Sequence, residues 1–162
     1  MMIGATSWTL TPDDELALRR GMERLLFESG AHCALLVDRG GQLLAEVGER
    51  SSVDVTSFAT LAAADFSAND QLARLLGETE FSSLFHQGEP DSMLLSDVGQ
   101  RAILVVLFGP ATTLGLVRLR LRATVEELNT HVATMAGRDA DPRAKRPALL
   151  ADAADEIDRL FE

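Results

Sequence analysis

Three histidines, a single cysteine and a single lysine are the side chains here whose types most readily do chemistry. A structural or catalytic zinc needs His, Cys or carboxylates at ligand spacing. His32, His86 and His131 instead fall in three separate segments, with Cys33 apart from two of them, so no metal ligand set is expected. A phosphate-cradling loop needs glycines followed by Lys-Ser or Lys-Thr. The only lysine is Lys145, followed by Arg146 and Pro147, which excludes nucleotide hydrolysis by that route. Asp13-Asp14 and Glu126-Glu127 are adjacent pairs on helical stretches, where neighbouring side chains diverge, so they read as solvated charge rather than paired acid and base. His86, in Phe85-His86-Gln87-Gly88, reads as a residue that orients its loop by hydrogen bonding rather than as a general base. Cys33 precedes the apolar run Ala34-Leu35-Leu36-Val37 and reads as a small buried hydrophobe. No catalytic residue and no cofactor are expected, so any function must come from surfaces.

Those surfaces belong to a chain of 162 residues, 46% hydrophobic and 25% charged, which suits one domain with a short appendage. The 25 acidic and 15 basic residues give a net charge of −10, a field that repels nucleic acid and anionic lipid. With no basic start and no run of about eighteen apolar residues, a cytoplasmic protein without membrane insertion is expected. A lone cysteine allows no internal disulfide, which suits a reducing compartment.

Thr11-Pro12-Asp13-Asp14 has the composition of a helix start, and Leu18, Met22, Leu25 and Leu26 recur at helical spacing until Gly30. Cys33–Val37 and Gln42–Val47 flank the turn residues Asp38-Arg39-Gly40-Gly41 and read as a hairpin. Asp54 or a nearby serine can cap a second helix that lasts to Gly77. After a polar loop, Ser92–Asp97, Arg101–Phe108 and Leu114–Leu121 read as three strands. Val125, Leu128, Val132 and Met135 then make a third helical stripe closed by Gly137. The domain plan is residues 1–10 as a flexible N-terminus, 11–136 as the domain, 137–148 as a mobile linker, and 149–162 as an amphipathic helix with Leu149, Ala153, Ile157 and Leu160 on one face and Phe161 beside them.

The second helix departs from ordinary two-sided patterning. At about 100° per residue, Phe58, Leu61, Leu72 and Leu76 form the face expected to pack on the sheet. Thr60, Ala64, Ser67 and Gln71 form a small, nearly uncharged stripe on the other side, and Ala59, Ala62, Ala63 and Ala68 thin the helix further. Such a stripe suits a protein contact. Asp65 and Asn69 fall near the inner side, where polar groups are better placed at a subunit boundary. In Leu114–Leu121, Val117, Leu119 and Leu121 read as buried and Arg118 and Arg120 as outward. Five strands with helices on one side would leave edges and a face needing cover, which pairing across a two-fold axis would partly supply.

The order helix, two strands, helix, three strands, helix resembles the roadblock family, and within it the bacterial branch that regulates a small Ras-like GTPase. The residues carrying the resemblance are Glu80-Phe81, Phe85-His86-Gln87-Gly88, Asp91-Ser92, Val105–Phe108 and Leu114–Arg120, with Leu36-Val37-Asp38, Gly41-Gln42-Leu43 and Asp54–Leu61 upstream and Asp155–Phe161 at the far end. The resemblance implies an α/β (α+β) roadblock fold whose five-stranded antiparallel sheet becomes continuous in a homodimer. It also implies a non-enzymatic partner of the GTPase, two protomers to one GTPase, which stimulates hydrolysis by repositioning the GTPase's own groups. No arginine finger comes from this side. In the family this sets cell polarity for surface motility, with concentration at a cell pole. Carried onto this sequence, the GTPase-facing residues are Thr60, Ala64, Ser67 and Gln71, with Ile157, Leu160 and Phe161 as a second contact that can favour exchange. The dimer contacts are Ala59, Ala63, Asp65 and Asn69. Ser67 and Gln71 stand where the family often has Ala or Gly, a departure that could change docking. Two other readings compete: a scaffold that holds a GTPase or motor component without activating it, and a small-molecule sensor with a pocket under the hairpin, for which few convergent polar residues are visible.

Overall fold

Thr11 starts the first helix by a reciprocal cap. Its hydroxyl accepts from the Asp14 backbone N–H at 3.2 Å, and the Asp14 carboxylate accepts from the Thr11 N–H at 2.9 Å. Helix α1 (Pro12–Ser29) ends at Gly30, whose φ of 75° is the left-handed conformation that glycine enters without penalty. The computed structural model describes residues 9–49, 53–78 and 82–140. Strands β1 (Cys33–Asp38) and β2 (Leu43–Gly48) form the expected hairpin, its turn held by the buried Asp38, whose carboxylate accepts from the Gln42 N–H at 2.7 Å. Helix α2 (Val55–Leu75) is capped by Asp54, and β3 (Ser83–His86), β4 (Ser92–Val98), β5 (Ala102–Phe108) and α3 (Leu114–Ala140) complete the described chain.

The five strands form one antiparallel sheet in the order β2-β1-β5-β4-β3. Alternation along the strands divides the core in two. Ala34, Leu36, Leu94, Leu104 and Val106 pack with Leu18, Met22, Leu25, Leu128, Val132 and Met135 of α1 and α3. Cys33, Leu35, Val37, Leu95, Ile103 and Val105 pack beneath Ala59, Ala62, Ala63 and Phe66 of α2. Helices therefore cover both faces, not one.

Two element assignments are corrected. Leu114–Leu121 is not a strand but the first two turns of α3. Val117 and Leu121 are buried while Leu119 is 60% exposed, so the spacing that decides is Leu114, Val117, Leu121, Val125, Leu128, a helical stripe whose leucine-rich start mimics alternation. The third strand of that half is Ser83–His86, within the segment that reads as a polar loop. It is a four-residue edge strand, only half buried, and so carries little apolar signal. The helix also continues past Gly137 to Ala140, and Arg138 pairs with Asp14 of α1, so the domain extends beyond residue 136. The remainder of the expected linker and the segment 149–162, with Ile157, Leu160 and Phe161, lie outside the described residues.

Candidate functional site

The sheet-facing side of α2 is made of Ala59, Ala62, Ala63, Phe66, Asn69 and Ala73. Four alanines and one ring let the helix backbone sit close to the strands, with Phe66 fully buried as the single large plug. Ala59 and Ala63, expected at a dimer contact, thus face the chain's own core, at 1% and 5% exposure. The leucines expected to face the sheet point the other way. Leu61 is 68% exposed, Leu72 57% and Leu76 73%, with their neighbour Leu75 at 83%, while Phe58 of the expected set does pack against the α2-side core.

The consequence is an outward stripe of Leu61, Ala64, Ala68, Leu72 and Leu75, spaced three, four, four and three, which is one helical seam with small residues at its middle and leucines at its ends. Thr60, Ser67 and Gln71 are exposed along one flank of that seam, together with Ala64. The Thr60 hydroxyl donates to the Thr56 carbonyl at 3.0 Å, so it presents mainly its methyl outward. Asp65 lies on the other flank, and Asn69 is turned toward the sheet. The Asp65 carboxylate meets His86 Nε2 at 2.6 Å, joining α2 to edge strand β3. Asn69 is 7% exposed and its amide nitrogen has no hydrogen-bond partner among the described residues. Of the expected site residues, the structure therefore gathers Thr60, Ala64, Ser67 and Gln71 on one accessible surface and separates Asp65 from the buried Ala59, Ala63 and Asn69. The leucines of the seam were missed. Their own three-four spacing was the available signal, but α2 carries two apolar faces, and size alone assigned the wrong one to the core.

The C-terminal half of α2 is fixed by Arg39. Its guanidinium meets Asp70 of α2 at 2.6 Å, pairs with Asp97 before the β4–β5 turn, and lies 4.8 Å from the centre of the Phe66 ring. No charge sits on the seam itself. Arg118 and Arg120, expected on a strand, project from α3 on the opposite face of the sheet, with Arg120 3.8 Å from Glu28. Such a surface offers apolar area and shape. Among the described residues no three metal-ligating side chains converge, and no helix is long and apolar enough to cross a membrane.

Comparison with known proteins agrees with this architecture. The Roadblock/LC7 domain model matches residues 22–108. Myxococcus xanthus MglB is 39% identical over 72% of this chain and 95% of its own, with a TM-score of 0.69. The gliding protein MglB from Thermus thermophilus is 32% identical, covering 79% and 97% with a TM-score of 0.74. A structure described as MglB with tetrameric arrangement is also 32% identical, covering 80% and 97% with a TM-score of 0.75. A search of curated proteins gives no match. Sheet order, helix placement and these identities agree, and the chain belongs to the Roadblock/LC7 family, in which it is similar to MglB.

Proposed function

We propose that this protein is a homodimeric regulator of a small Ras-like GTPase of the MglA type and stimulates its GTP hydrolysis. The observation that carries the reading is the exposed apolar seam of α2, on a chain 39% identical to an MglB. A monomer that leaves Leu61, Leu72 and Leu75 in water has a surface suited to a partner. The seam divides the work. The flank with Asp65, beside the edge strand β3, is the side on which a second copy meets the helix, with the two sheets continuing across the two-fold axis. The flank with Thr60, Ala64, Ser67 and Gln71 receives the GTPase, two protomers to one. Arg74 near the end of α2 is the helix's only basic residue, so stimulation works by holding the GTPase's own catalytic segments rather than by inserting a cation. Ile157, Leu160 and Phe161 supply a second, tethered contact. The biological setting that goes with this reading is cytoplasmic polarity control in surface motility, with accumulation at a pole.

The test is GTP turnover by the cognate GTPase with and without the protein. Acceleration supports the reading; tight binding with unchanged turnover makes the protein a scaffold instead. Ser67→Arg with Gln71→Arg is expected to keep the fold and abolish binding, because two exposed positions acquire bulky charges that a docked partner would have to desolvate. Unchanged affinity by calorimetry moves the site off this helix.

A further inference from the structure

Beneath the first turns of α2 lies a cavity of about 350 Å³ between helix and sheet. Leu35 of β1 and Leu107 of β5 form its floor, and Val55 and Phe58 of α2 form a wall. The mouth is polar and is assembled from three separate segments: His32 before β1, Glu49 after β2 and Asp91 before β4. The His32 ring bridges the other two, with Nδ1 3.3 Å from the Glu49 carbonyl oxygen and Nε2 3.3 Å from Asp91 Oδ1. Both of those partners only accept. Among the described residues the mouth is thus rich in acceptors, and the Asp91 side chain remains 58% exposed. Asp54 caps the nearby helix N-terminus, accepting from the Thr56 N–H at 3.1 Å.

We propose that this cavity binds a small amphipathic amine, with its protonated nitrogen at Asp91 and Glu49 and an apolar arm of about five to eight carbons against Leu35, Leu107, Val55 and Phe58. The Phe58 ring adds a face that attracts an ammonium group. A carboxylate of the same shape meets the like charge of Asp91 at the mouth and is rejected. An alcohol fills the apolar part without the ionic contact. The site is distinct from the α2 seam and stands whether or not the seam docks a GTPase.

The experiment titrates the full chain with hexylammonium, hexanoate and hexanol at fixed ionic strength, following the methyl resonances of Leu35, Leu107 and Val55. Saturable shifts with hexylammonium, at least about tenfold weaker with hexanoate, are expected. Asp91→Asn should weaken hexylammonium by about tenfold and leave hexanol unchanged, and its melting temperature without ligand reports whether the fold is intact. Val55→Trp, which fills the cavity, should remove all three responses. Equal binding of amine and carboxylate, or no saturable shift in the native protein, overturns the proposal.

Discussion

The two helical layers on either side of the sheet use their large residues in opposite ways. On one side α1 and α3 turn Leu18, Met22, Leu25, Leu128 and Met135 inward, all at 2% exposure or less, and tie their outer rims by Arg24–Glu127 at 3.0 Å and Arg138–Asp14. That layer is largely finished within one chain, although Phe27 of α1 and Leu119 of α3 stay in solvent. On the other side α2 turns alanines inward and leaves its leucines in solvent. The hydrophobic contribution of a leucine is collected wherever its surface finally leaves water, at roughly 1.5–3 kcal/mol for full burial. The α2 leucines leave water only if a second surface arrives, and the proposed association would supply one.

Truncating the one large side chain that α2 does bury gives the largest effect. Phe66→Ala should cost about 3–5 kcal/mol of folding stability, because it empties the plug of an alanine-lined contact and removes the ring under Arg39. A loss below about 1 kcal/mol by denaturant titration would mean that α2 is held by its ends alone.

Next, Leu61→Ser with Leu72→Ser should weaken self-association or GTPase binding at least about tenfold, read by sedimentation and calorimetry, while shifting monomer stability by no more than about 0.5 kcal/mol. If the pair instead unfolds the chain and leaves association alone, the inner and outer faces have been exchanged.

The smallest effect lies in the finished layer. Burial opposes ionisation of the Asp14 carboxyl, but hydrogen bonds from the Thr11 N–H, Arg138 and the Thr11 hydroxyl, with the Arg138 charge, outweigh it and hold the pKa below the ordinary carboxylate value. Because the folded value is the lower one, this contribution is complete above the unfolded pKa and is lost as pH falls through the folded one. Asp14→Ala should therefore cost about 1 kcal/mol near neutrality, and thermal melts of variant and native protein should converge in acid. A gap that persists unchanged at low pH would separate the cap from the ionised carboxylate.

Local chemistry was the legible part of the fold. The Thr11 cap, the Asp38–Gly41 turn, the Asp54 cap and the runs that became β4 and β5 each depend on residues a few positions apart. The difficulties arose where two long-range solutions share one local pattern. Leu114–Leu121 satisfies both a period of two and a helical period, and only the continuation through Val125 and Leu128 distinguishes them. Ser83–His86 is a strand because β4 pairs with it from Met93 to Ser96, not because of its own composition. For α2 the ambiguity was rotational. Thr60, Ala64, Ser67 and Gln71 were placed outward from the sequence and are exposed, yet the leucines beside them were assigned to the core because apolar size was weighed without the sheet's demand for close approach.

Gly137 has a practical use. That residue lies in the last turn of α3, in the layer opposite α2, and a side-chain carbon added there meets nothing within 4 Å among the described residues. Cys33, the chain's only thiol, is 1% exposed. Gly137→Cys would therefore give one reactive handle, on a helix that also gains from losing a glycine. Biotin or a dye attached there would anchor the molecule to a sensor surface by the back of the sheet, leaving the whole α2 seam free to meet whatever flows past.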